Sequence, residues 1–229
     1  MNWLNTHPEL LFYLLLFTAV FLTRIPVLGK YFRSVNTLVH EAGHAFATLA
    51  LSGEVIAVNL FADTSGTTVT KAKGKFSQAL IALAGYPASA LTGWLCLSLL
   101  HHGYYLYILF ILTSITLLIM ILSLRNMYGL FWAGTFVVLN LLFIYFNNKS
   151  ALYTAAVFYS VIIYTDAVIS SCVLLILAIR QPKKAGDATN LQKFTKIPAA
   201  FWAIVLLAFT LFISYISVIN YFPPIKSIL

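Results

Sequence analysis

The chain has 229 residues, of which 61% are hydrophobic and 9% charged, with a mean hydropathy of +0.92. Soluble domains carry about 25% charged residues, so a water-facing surface is excluded and lipid is the expected solvent. The net charge of +8 comes from 14 basic and 6 acidic residues. The basic residues flank apolar runs without forming a clustered basic face, which argues against nucleic acid and for membrane topology.

In chain order, the first apolar run predicts a span from Leu10 to about Leu28, closing on Lys30 and Arg33. Arg24 falls near its end, where a long side chain reaches the interface. The residues before the span have no basic stretch and no small-residue cleavage pattern follows it, so it reads as a retained span. A helix then starts at Ser34 or Asn36, both good N-cap residues, and runs to about Leu51, ending at Ser52-Gly53.

Between Glu54 and Thr70 the pattern changes. Two β-prone runs, Val55–Phe61 and Thr67–Thr70, flank the turn cluster Asp63-Thr64-Ser65-Gly66, which predicts a hairpin. Four apolar spans follow, at about Phe76–Leu100, Tyr104–Leu124, Tyr128–Phe146 and Leu152–Ile179. A polar segment, Arg180–Lys196, leads to a last span at about Ile197–Tyr221.

The Lys/Arg bias orients these spans. With the N-terminus outside and the hairpin returning to the side from which its helix entered, twelve of the 14 basic residues share one side. They are Arg24, Lys30 and Arg33, the Lys71–Lys75 stretch, Arg125, and the five from Arg180 to Lys196. Lys149 and Lys226 fall on the other, so the first side is expected to be cytoplasmic.

The chemistry sits in His40-Glu41-Ala42-Gly43-His44. Histidines four apart on a helix project from one face and can grip one ion. Glu41, beside them but turned around the axis, is placed to act as a base rather than a ligand. With 5 His in the chain, a chance match to this pattern is expected about 0.001–0.002 times. Ionisable residues in an apolar helix are costly, and functional by default. The expected cofactor is Zn2+, with His40 and His44 as ligands and Glu41 as general base.

Three segments carry a family resemblance. They are Leu38-Val39-His40-Glu41-Ala42-Gly43-His44-Ala45, Ala84-Gly85-Tyr86-Pro87-Ala88-Ser89-Ala90, and the run from Gly186-Asp187-Ala188-Thr189-Asn190 to Pro198. Together they resemble the site-2-protease group of intramembrane zinc metalloproteases, and more closely its compact bacterial branch without PDZ or CBS domains. The resemblance implies a bacterial cytoplasmic membrane protein that hydrolyses peptide bonds in or near membrane segments of substrate proteins. It also implies that Val55–Thr70 offers a strand edge on which an unwound substrate is held.

A catalytic zinc site takes three protein ligands. In the larger family the third is an aspartate of an Asn-Pro-Asp-Gly or Leu-Asp-Gly motif, and this chain has neither. Glu9 lies before the first span, and Glu54 and Asp63 fit a hairpin start and a turn. Resemblance points to Asp187, whereas the cost of a carboxylate in mid-span points to Asp166. The expected ligand set is His40, His44 and Asp187.

Other polar features have plainer readings. Gly85, Ser89 and Gly93 form a small-residue stripe for close helix packing, against the zinc helix for instance. His101-His102 read as an exposed loop pair, and Asn126 and Asn140 are left without a role. The missing aspartate motif also admits a zinc-binding membrane regulatory protein without proteolytic activity. The expectation is thus an all-α polytopic membrane protein with a small membrane-associated β-hairpin and about seven helical segments. Residues 1–229 are expected to form a single integral-membrane metalloprotease-like domain whose partners are the lipid bilayer and a membrane-protein or peptide substrate.

Overall fold

The computed structural model describes residues 8–23 and 25–223. The residues preceding Pro8, and Arg24 and Lys226 of the charge asymmetry, lie outside them. The helices are α1 (Pro8–Leu22), α2 (Leu28–Ala50), α3 (Lys75–Leu83), α4 (Gly85–His101), α5 (Tyr105–Leu122), α6 (Met127–Phe146), α7 (Lys149–Arg180), α8 (Gly186–Thr195) and α9 (Ala199–Tyr221). A hairpin of β1 (Glu54–Leu60) and β2 (Gly66–Lys71) sits between α2 and α3. Five helical stretches are long and apolar enough to cross a membrane: Lys75–His101, α5, α6, α7 and α9. The protein is an integral membrane protein, all-α but for its hairpin.

Two boundaries differ from expectation, each for a backbone reason. The first helix ends at Leu22 instead of continuing to Leu28. Pro26 disfavours helical geometry in the residue before it, and α2 restarts at Leu28, earlier than Ser34 or Asn36. The restart is so tight that a Cβ on Gly29 would overlap the Thr23 carbonyl. The second difference is a break between α3 and α4, expected as one span. Pro87 has no N–H for the Leu83 carbonyl and its ring crowds it, so the helix bends there. α8 is an additional helix, inside the segment expected to be merely polar.

α7 is the strut of the bundle. Its 32 residues extend about 48 Å at 1.5 Å per residue, and it packs against α1, α2, α4, α5, α8 and α9. Residues of α1 and α2 find partners on it and just beyond it. Glu9 faces Tyr153, Phe32 meets Phe158 edge-on at 4.7 Å, and Arg33 pairs with Asp166. Beyond the end of α7, His40 meets Asp187. From Arg33 to His40, α2 thus runs toward the C-terminal end of α7. Arg33, one of the basic residues in the charge asymmetry, is engaged inside the bundle. Its Nε lies 3.0 Å from both carboxylate oxygens of Asp166, near the middle of α7, where an ion pair removes the need to reach water.

The hairpin lies alongside α2, tip toward the α2 start. Thr37 Oγ1 donates to the Thr64 carbonyl at 2.8 Å, and Asp63 is close enough to Lys30 to feel its charge. β1 and β2 pair antiparallel from Glu54↔Lys71 to Leu60↔Gly66, with a bulge between Val55 and Ala57. The other edge of β1 is covered by the α5–α6 connector. Val58 N–H donates to Ser123 O at 2.7 Å, Arg125 N–H donates to Val58 O at 3.1 Å, and the Asn126 amide pairs with both backbone groups of Leu60. Among the described residues β2 has β1 as its one sheet neighbour, which leaves its other edge open.

The small-residue stripe is divided between two neighbours. Gly85 faces the α2 histidines, whereas a Cβ on Gly93 would sit 3.2 Å from Tyr164 Cα of α7. On α2 itself, Gly43 admits α4, since a Cβ there would lie 2.5 Å from Ala88 Cβ.

The Arg33–Asp166 pair is buried on its acidic side, with the Asp166 side chain 7% exposed. Arg33→Ala is expected to destabilise the protein, because the carboxylate loses a cation bonded to both of its oxygens. Arg33→Met with Asp166→Leu should recover most of that loss. Thermal unfolding in detergent measures both, and a double variant as unstable as the single one would contradict the role of the pair.

Candidate metal centre

α2 presents His40 and His44 on the face turned toward α3, α4 and α8. Their Nε2 atoms are 3.1 Å apart. Asp187, in the first turn of α8, places Oδ2 3.1 Å from His40 Nε2 and 3.2 Å from His44 Nε2. Three ligand atoms thus form a nearly equilateral triangle. Tetrahedral zinc with bonds of about 2.0–2.1 Å holds neighbouring ligand atoms about 3.3–3.4 Å apart, so the triangle suits such an ion with one position left over. Two nitrogens and a carboxylate oxygen are donors that zinc accepts.

The surroundings tune these groups toward ligation. His44 Nδ1 donates to the Ile81 carbonyl at 2.7 Å, which leaves the Nε2 lone pair directed at the triangle. Burial opposes charge on Asp187, but His44 and His40 outweigh it and hold the carboxyl well below the usual carboxylate range. A cation bound here would replace the imidazole protons and stabilise the same carboxylate form.

Glu41 stands beside the triangle and outside it. It is 5% exposed, and Thr68 of β2 donates to its Oε2 at 2.6 Å. Its other oxygen lies over Gly66, where a Cβ would come within 2.6 Å of Oε1. Gly85 does the same for the imidazoles. A Cβ there would sit 2.5 Å from His40 Cε1 and 2.6 Å from His44 Nε2. Two glycines on different elements thus make the room in which the acidic and basic groups meet.

Asp166 is engaged with Arg33 of α2, and Asp187 is the aspartate beside the two imidazoles. Asn126 is committed to β1, and Asn140 donates to the Phe136 carbonyl at 3.0 Å. The roles of Thr68, Gly66 and the Ile81 carbonyl had no signal in the sequence. They depend on how the hairpin and α3 fold against α2.

The triangle and Glu41 line a cavity of about 560 Å³. Thr67, Thr68 and Thr70 of β2 form one wall, with Tyr86, Asn190 and Phe194 also facing it. A membrane bundle with two helical imidazoles, a carboxylate and an adjoining second carboxylate has the makings of a metallopeptidase centre. The chain belongs to the Peptidase M50B-like family, whose model matches residues 13–217, a stretch that includes the whole cavity. This is the site-2-protease type of intramembrane metalloprotease, as the sequence motifs suggested. No curated protein and no solved structure gives a significant match.

Substituting either glycine separates the two halves of the site. Gly85→Ala should drive the imidazoles apart and lower metal affinity at least tenfold, in the range seen when groups supporting a metal ligand are lost. Gly66→Ala should leave metal content near that of the unaltered protein while displacing Glu41 and lowering turnover. Elemental analysis beside a cleavage assay checks both, and full metal content in Gly85→Ala would contradict the packing argument.

Proposed function

We propose that the protein is a zinc-dependent peptidase that cleaves peptide bonds within or next to membrane segments of other proteins. The observation that carries this reading is the triangle of His40, His44 and Asp187 with Glu41 at its side, inside a bundle of apolar helices. Zinc, when held by these three residues, supplies a Lewis acid for the scissile carbonyl and lowers the pKa of water toward neutrality.

The remaining chemistry belongs to the chain. Glu41 takes a proton from the attacking water and returns it to the departing nitrogen. The Thr68 hydroxyl, bonded to Oε2, fixes the carboxylate rotamer and leaves Oε1 for the proton. A substrate helix shields its own peptide bonds by hydrogen bonding, so it must unwind before it reacts. The open edge of β2 supplies backbone partners for the unwound segment, which adds as a strand along Gly66–Lys71. Because Thr68 belongs to that strand, the substrate and the general base share one support.

The mouth of the cavity lies on the cytoplasmic side in this reading. Lys71, Lys73 and Lys75 at the hairpin base, and Lys183, Lys184, Lys193 and Lys196 around α8, are the basic residues expected there.

Three substitutions test the assignment. Glu41→Gln should reduce cleavage by several orders of magnitude while zinc stays near stoichiometric. Asp187→Asn should lose zinc affinity as well as activity, and Asp166→Asn should keep its zinc. Activity in Glu41→Gln, or zinc loss in Asp166→Asn with retention in Asp187→Asn, would overturn these roles.

A further inference from the structure

Hydrolysis of a peptide places negative charge on the carbonyl oxygen, and a donor aimed at that oxygen is commonly a large contribution to catalysis. Of the polar side chains around the cavity, Thr68 is engaged with Glu41 and Gln78 Nε2 donates to the Ala72 carbonyl at 3.1 Å. Asn126 and Asn140 are committed elsewhere. Asn190 lines the cavity from the exposed side of α8.

Tyr86 stands differently. It is in the first turn of α4, directly after the bend imposed by Pro87, and it lines the cavity together with Glu41 and the metal triangle. Its ring meets the His40 ring edge-on, with centroids 4.8 Å apart and planes at 89°. Among the described residues its hydroxyl makes no hydrogen bond. Its neighbour Gly85 is the residue whose missing Cβ lets both imidazoles approach α4. The same bend therefore brings a phenol donor and the histidines into one space.

We propose that Tyr86 is a catalytic residue whose hydroxyl donates a hydrogen bond to the oxyanion developing on the scissile carbonyl. This rests on the peptidase reading above. No proton is transferred, as the phenol keeps its hydrogen and the proton traffic stays with Glu41. The donor is neutral and half-buried, and its ring is held against His40, so little reorganisation accompanies the change in charge. A tyrosine that merely packs on His40 would do so equally well without its oxygen.

Tyr86→Phe keeps the ring and removes the donor, so it separates the two roles. With a fluorogenic single-span peptide co-reconstituted in liposomes, kcat is expected to fall on the order of 10²-fold, with KM and zinc content unchanged. A second readout needs no turnover. A phosphinate peptide carries a tetrahedral oxyanion like that of the transition state, whereas a thiol ligand binds zinc without one. Tyr86→Phe should weaken the phosphinate at least tenfold and leave the thiol unaffected.

Equal phosphinate affinity in Tyr86→Phe and the unaltered protein would overturn the proposal, as would an unchanged kcat. An effect on both ligands alike would also overturn it, since that marks a packing role. Glu41→Gln, run in parallel, tests the peptidase reading separately: activity there would fail that reading whatever Tyr86 does.

Discussion

An ionisable group inside an apolar bundle has to find a partner within the protein, because lipid offers none. In this chain that constraint falls mainly on one helix. α2 carries Arg33, His40, Glu41 and His44, and each is answered by a different element. Asp166 comes from α7, Asp187 from α8, the Thr68 hydroxyl from β2 and the Ile81 carbonyl from α3. The helix is thereby pinned at four points by the groups that carry its chemistry. Its place in the fold and the assembly of the site are one event.

The same economy shows in how space is made around α2. Gly43 admits α4, Gly66 leaves room for the Glu41 carboxylate, and Gly85 leaves room for the imidazoles. Each glycine acts through the volume it does not fill. The helix is closely packed on the faces away from the cavity, with Val35, Leu38, Val39, Ala42 and Ala45 buried. On the cavity side it is edged by hydroxyls of β2. That asymmetry leaves a cavity beside a centre that lies among membrane-spanning helices.

The hairpin joins the two halves of the design. One edge is closed by the α5–α6 connector, through Ser123, Arg125 and Asn126, so the strand pair is held and, among the described residues, the edge left open is that of β2. An open edge is a liability where it meets other chains at random. Set against a metallopeptidase cavity, it is the edge on which the proposed function seats a substrate.

Much of this was legible in the residues themselves. The lipid solvent followed from the scarcity of charge, and the shared face of His40 and His44, with Glu41 turned aside, followed from helical spacing. The hairpin followed from β-prone runs about a turn cluster, and the break before α4 was available in Pro87. Each is a local property, set by side-chain chemistry or by backbone sterics over a few residues. What local patterns could not decide was which aspartate faces the imidazoles. Resemblance pointed to Asp187 and the cost of a mid-span carboxylate to Asp166, and the structure engages Asp166 with Arg33 of α2 instead. Asp187 is separated from His40 by 147 residues, and a contact across that distance depends on how α7 and α8 deliver the chain back to α2. Thr68 and Tyr86 belong to the same class. Their residue types are ordinary, and it is tertiary packing, by bringing β2 and α4 against one face of α2, that gives them neighbours to act upon.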